Sequence, residues 1–153
     1  MIMKLLATVS ALCLGLACAP ALANEPTEKD AIAMAERGAA FFKAKGKEEL
    51  KKAITAKDPE FSQGSLYIDM RDIKTGIVLA HPHNPSIVGK DLTDVPDANG
   101  KKYRREIIEL AAAKGKGWVD YMYKNPTTGK IEPKTTYILR IDDFVVEAGI
   151  YKK

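Results

Sequence analysis

The sequence predicts an α+β domain: a five-stranded antiparallel sheet with N-terminal helices and one crossover helix. Three observations predict it. Apolar residues recur at spacings of three and four from Ile32 to Phe42, and the period shortens to two from Ser65. Short turns rich in Gly, Asn and Asp join most of the later segments, so sequence neighbours pair antiparallel. One long break, residues 82–100, and the helical stripe after it separate two strands from three.

The chain begins with Lys4, an apolar run from Leu5 to Ala17, and the small-residue stretch Ala21-Leu22-Ala23. These are the parts of a secretory signal, and the run is too short for the roughly 20 residues of a membrane span. Residues 1–23 are therefore expected to be removed. Residues 24–153 form a single domain, periplasmic or secreted. Both cysteines, Cys13 and Cys18, lie in the signal, so the mature chain has no disulfide, thiolate metal site or cysteine nucleophile. Without Lys4, the 24 basic residues become 23 against 20 acidic ones. This mild and well-mixed excess favours small anions as partners and, in an exported protein, argues against nucleic acid.

Thr27 is an N-cap with Asp30 three residues on. Ile32, Ala35, Ala39 and Phe42 mark the first helix, Gly46 breaks it, and Leu50, Ala53 and Ile54 mark a second before Asp58-Pro59. In the first strand Leu66, Ile68 and Met70 face one way, and Tyr67, Asp69 and Arg71 the other. A turn over 72–76 leads to a second strand ending at His81. Residues 82–100 are rich in Pro, Gly, Asn and Asp, and loops of that length are usually functional. Tyr103, Ile107, Leu110 and Ala111 form the crossover helix, closed by Gly115. Strands 118–123, 134–141 and 144–151 follow, with turns at 125–129 and at Asp142-Asp143. The helices should cover one sheet face, and the loop with the crossover helix the other. This order is PAS-like.

Eight pieces in register carry a family resemblance. They are Gly64-Ser-Leu-Tyr-Ile68, Asp72-x-x-x-Gly76, Leu79-Ala-His-Pro82 with Asn84-Pro85, and Val88-Gly-Lys-Asp-Leu92. The others are Gly115-x-Gly-Trp-Val119, Tyr121-Met-Tyr123, Lys134-x-x-Tyr137 and Glu147-Ala-Gly-Ile-Tyr151. Together they resemble a type-2 single-Cache domain, the extracellular sensor of many bacterial chemoreceptors and sensor kinases. The resemblance implies a small-molecule pocket between the sheet and the overlying loop and helix, with short organic acids as ligands. With two residues after Tyr151 and a short first helix, the chain resembles a free-standing secreted Cache protein that acts through a membrane receptor or sensor kinase.

A buried carboxylate needs several donors and a cation. Lys134 supplies the charge, His81, Tyr121, Tyr123, Tyr137 and Tyr67 supply donors, and Arg71 is a second cation candidate. His81 and His83 with a floating carboxylate from Asp91, Asp94 or Asp97 make a poor metal site, and no cofactor is expected. The chain has no Gly-x-Ser-x-Gly, paired-histidine helix or phosphate loop, so a non-enzymatic binding domain is expected. The competing expectation is an interaction module with a degenerate pocket, which no metabolite would stabilise.

Overall fold

The computed structural model describes residues 25–152, and the expected signal and its cleavage point lie outside the described residues. Thr27 caps the first helix, α1 (Glu28–Lys45). Its hydroxyl accepts from the Asp30 N–H, and the Asp30 carboxylate accepts from the Thr27 N–H, completing a capping box with Asp in the usual Glu position. Gly46, at φ 87°, ends α1 and opens α2 (Lys47–Thr55). The buried stripe of α1 is Ala31, Met34, Ala35 and Gly38, with Ile32, Ala39 and Phe42 at its margin. The stripe is thus turned by about one residue from the expected one. Small residues take its centre because the helix lies close on the sheet: a side chain at Gly38 would meet Ile68.

The strands are β1 (Ser62–Gln63), β2 (Leu66–Asp72), β3 (Val78–Ala80), β4 (Lys116–Lys124), β5 (Ile131–Ile141) and β6 (Phe144–Tyr151). Their order is β1-β2-β6-β5-β4, with β3 also paired to β2, and every pairing is antiparallel. β1 pairs with the start of β2 and β3 with its end, so the two share one edge. β1 is the strand that hydropathy missed, since two residues cannot display a period of two. The crossover runs from β3 through residues 82–100 into α3 (Tyr103–Lys114), which ends at Gly115 in the left-handed conformation.

Strand alternation divides the sheet into two faces. Leu66, Ile68 and Met70 of β2 meet Phe144, Val146 and Ala148 of β6 beneath α1 and α2, and this is the main apolar core. The opposite face carries Tyr67, Asp69, Arg71, Lys134 and Glu147, roofed by α3 and the 82–100 loop. That loop is anchored at its middle and near its end. The Val78 N–H donates to the Lys90 carbonyl, the Gly89 N–H donates to the Val78 carbonyl, and Asp97 accepts the N–H groups of Asn99, Lys101 and Met122. No helix among the described residues is long and apolar enough to cross a membrane.

Candidate functional site

Lys134 points from β5 across Gly149 of the neighbouring β6. A β-carbon at Gly149 would collide with Lys134 Cε and Thr136 Oγ1, so glycine there lets the lysine lie flat and reach β2. Its ammonium donates to Tyr67 Oη at 2.9 Å and lies 4.0 Å from the Tyr67 ring centroid, with the Tyr151 and Tyr123 rings at 5.2 and 5.4 Å. The aromatic faces offer the cation partial compensation. Burial pushes Lys134 down to about 8 against the opposing pull of Asp69 and Glu147. Among the described residues it forms no ion pair, and Tyr67 is its one hydrogen-bond partner.

Beside it, Arg71 Nε donates to Glu147 Oε1 at 2.7 Å, and both side chains are buried. Burial opposes the Arg71 charge, but Glu147 and Asp69 outweigh it and hold the guanidinium above its ordinary value. Asp69 lies opposite Glu147 in the β2–β6 register, and burial raises both carboxyls. Arg104 of α3 is more than nine-tenths buried over the Tyr103 ring, and its NH1 donates to the Val95 carbonyl. Its buried Nε has no hydrogen-bond partner among the described residues.

His81 follows β3, and its Nδ1 accepts the backbone N–H groups of His83 and Asn84 at 3.1 and 3.0 Å. Nε2 of the neutral ring therefore carries the proton and faces Tyr123 Oη at 3.3 Å. Burial, with Lys134 nearby, pushes His81 down to about 3, so the ring stays neutral through the physiological range. Tyr121 stacks on Tyr103 at 3.8 Å and shares a 2.9 Å hydrogen bond with Thr136 Oγ1. Burial raises the hydroxyls of Tyr67, Tyr121 and Tyr123, which remain protonated donors.

Six of the seven nominated residues, Tyr67, Arg71, His81, Tyr121, Tyr123 and Lys134, converge on this face. Tyr137 does not: it packs against Trp118 in the core beneath α1. It stands three residues from Lys134 on one strand, and an odd separation puts two residues on opposite faces. His83 pairs with Ser62 Oγ through Nε2 at 3.2 Å. Arg104, Asp69 and Glu147 were missed, although each carried a signal. Arg104 sits one turn before Ile107 on the buried stripe of α3, and the two acids interrupt otherwise buried strands.

The space between sheet, loop and α3 is a cleft of about 580 Å³. Beneath it lies a tight cavity of about 10 Å³ that shares Tyr67, His81, Tyr103, Arg104 and Tyr123 with the cleft. All five buried charged side chains of the described residues line that cavity: Asp69, Arg71, Arg104, Lys134 and Glu147. Three are cations and two are acids. No group of three or more His, Cys, Asp or Glu among the described residues is placed to hold a metal ion.

This arrangement of sheet, loop and helix has known counterparts. The crystal structure of a methyl-accepting chemotaxis protein from Vibrio parahaemolyticus RIMD 2210633 superposes with a TM-score of 0.70 at 27% identity, over 80% of this chain and 86% of that one. A periplasmic sensor domain of a chemotaxis protein gives 0.63 at 27% identity, over 82% and 90%. A Cache chemosensory domain solved for its carboxylic acid recognition also gives 0.63, over 82% and 88%; at 20% identity the likeness is one of fold. Over 75 residues, 48% of this chain, it is 32% identical to the sensor histidine kinase MctS of Rhizobium johnstonii (strain DSM 114642 / LMG 32736 / 3841), and the match spans 16% of that kinase's length. The model of the single Cache domain 2 family matches residues 30–153. The chain belongs to that family of non-catalytic sensor modules, and its domain corresponds to the periplasmic sensor regions of chemotaxis receptors and sensor kinases.

Proposed function

We propose that the cleft binds the carboxylate of a small organic acid and that occupancy is signalled through a receptor or kinase. The observation that carries this reading is the charge count of the floor. Three buried cations face two buried acids, and Lys134 has no carboxylate paired to it among the described residues. One further negative charge balances the set. A carboxylate on the cleft floor meets the Tyr67, Tyr123 and His81 donors, with the Lys134 ammonium directly behind Tyr67 in the small cavity below, and Arg104 Nε offers a further N–H. In low dielectric such charge-assisted bonds are strong, whereas an uncompensated buried cation is costly. The reading is further supported by the Cache domain of like fold that recognises carboxylic acids. Ligand that binds one arrangement of the loop and α3 more tightly shifts the population toward it, and a partner reads that shift.

Acetate, propionate, lactate and pyruvate have at most about six heavy atoms, so binding is limited to roughly −9 kcal/mol and Kd is micromolar or weaker. At about 100 times Kd an acid adds ~2.7 kcal/mol of stability, raising the melting temperature by about 5–10 °C. Thermal denaturation with this panel is the test. Lys134→Ala should abolish the shift, and Lys130→Ala, in an exposed turn, should leave it unchanged. A panel without effect, or a normal shift in Lys134→Ala, overturns the proposal.

A further inference from the structure

We infer that the cleft is built for a monocarboxylic acid with an apolar tail, of the hexanoate or phenylalkanoate class; this rests on the carboxylate reading above. The charged floor is tight, but the cleft above it holds about 580 Å³. That volume lies within the roughly 300–1,000 Å³ of pockets that enclose molecules of drug size, and an acid of two to four carbons leaves most of it empty.

The walls change character with height. The lower wall carries the tyrosine, histidine and arginine groups described above. The upper wall is formed by Val95, Pro96 and Ala98 of the loop and Pro126 of the β4–β5 turn, with Met122 and Ile131 bordering it from strand positions that alternate away from Tyr123 and Lys134. Three large hydrophobic residues are exposed among the described residues, and two of them, Val95 and Ile131 (47% and 54% exposed), line this one cleft. Exposed apolar side chains are ordinary when scattered and informative when they converge on a concavity.

The charged residues at this level are Asp97 and Lys124. The Asp97 carboxylate is occupied by three backbone N–H groups, which leaves Lys124 as the group that would favour a second carboxylate over a tail. An amphipathic acid matches both levels, with its head on the cleft floor and its tail across Val95 and Ile131. Burying one methylene fully strengthens binding about fourfold, so even partial burial of four methylenes multiplies to at least about tenfold.

Isothermal titration of the protein with acetate, butyrate, hexanoate, adipate and hexanol tests this. Affinity should rise with chain length, at least about tenfold from acetate to hexanoate. Hexanol, which lacks the carboxylate, and adipate, which places a charge in the upper wall, should both bind more weakly than hexanoate. The double variant Val95→Ser/Ile131→Ser changes two exposed positions without adding charge and should keep acetate binding, which also reports its folding, while losing the gain with length. If acetate binds and hexanoate binds no more tightly, if adipate is preferred, or if the length gain survives in the double variant, the tail inference is wrong and the carboxylate reading stands. Should hexanol match hexanoate, or no acid bind at all, both fall.

Discussion

The two faces of one sheet are made by the same strands and obey opposite rules. Beneath α1 and α2 the core consists of Ala, Val, Ile, Leu, Met and Phe with Tyr137, and among the described residues no charge is buried there. Under the loop and α3, alternate residues of those strands bury Asp69, Arg71, Lys134 and Glu147. Packed apolar surface stabilises the fold in proportion to the area removed from water, whereas buried charges at best break even against their lost hydration. The first face therefore holds the domain together. The second spends part of that stability on a charged floor of three cations and two acids.

The largest expected effect comes from breaking the one tight pair on the charged face. Glu147→Gln leaves Arg71 buried without its carboxylate and should cost about 3–5 kcal/mol in urea denaturation, whereas Arg71→Met/Glu147→Leu should be far closer to wild type. A single variant of wild-type stability would mean that the pair is weaker than its geometry implies.

The pH dependence of the charged face sharpens the contrast. Lys134 sits at about 8 when folded, because of burial, against its ordinary 10.5. Between these values the unfolded chain binds the extra proton, so this lysine makes apo stability rise with pH, by at most about 1.4 kcal/mol per unit. The stabilising contribution is complete above 10.5 and is lost as pH falls through about 8. Acid binding through the ammonium, as proposed, would run the other way, and calorimetry should show affinity falling as pH rises through 8. Affinity that is flat from pH 7 to 9.5 would remove Lys134 from the contact. Asp69 and Glu147, the acids facing it, are charged more fully as pH rises and act in the opposite sense on the ammonium.

The smallest effects separate two tyrosines by face. Tyr123→Phe removes a donor at the cleft and should weaken acid binding by about 1.5–3 kcal/mol, as expected for a hydrogen bond to a charged group. Tyr137→Phe, on the apolar face, should leave acid affinity unchanged. Equal effects of the two substitutions on binding would erase the distinction between the faces.

The architecture was legible because alternation is a property of the strand itself. Leu66, Ile68 and Met70 announced one face and Tyr67, Asp69 and Arg71 the other before any contact was known. The strand order was not readable from period alone. β6 lies between β2 and β5, and that placement sets Gly149 under Lys134 and Glu147 beside Asp69. This is why Lys134 is legible as a cation while the two acids facing it, Asp69 and Glu147, are not: cross-strand register is a long-range fact. Arg104 was hidden differently, since a charged residue on an amphipathic helix reads as solvated until the roof over it is seen. Tyr137 is the error that alternation could have prevented.

The most direct test is urea denaturation of wild type and Lys134→Met, each with and without saturating hexanoate or propionate. Methionine keeps much of the length of lysine without its charge, so the account predicts a variant at least as stable as wild type without acid and no longer stabilised by it. A variant that is destabilised without acid yet fully stabilised by it would contradict the account, because Lys134 would then be holding the fold and not the ligand.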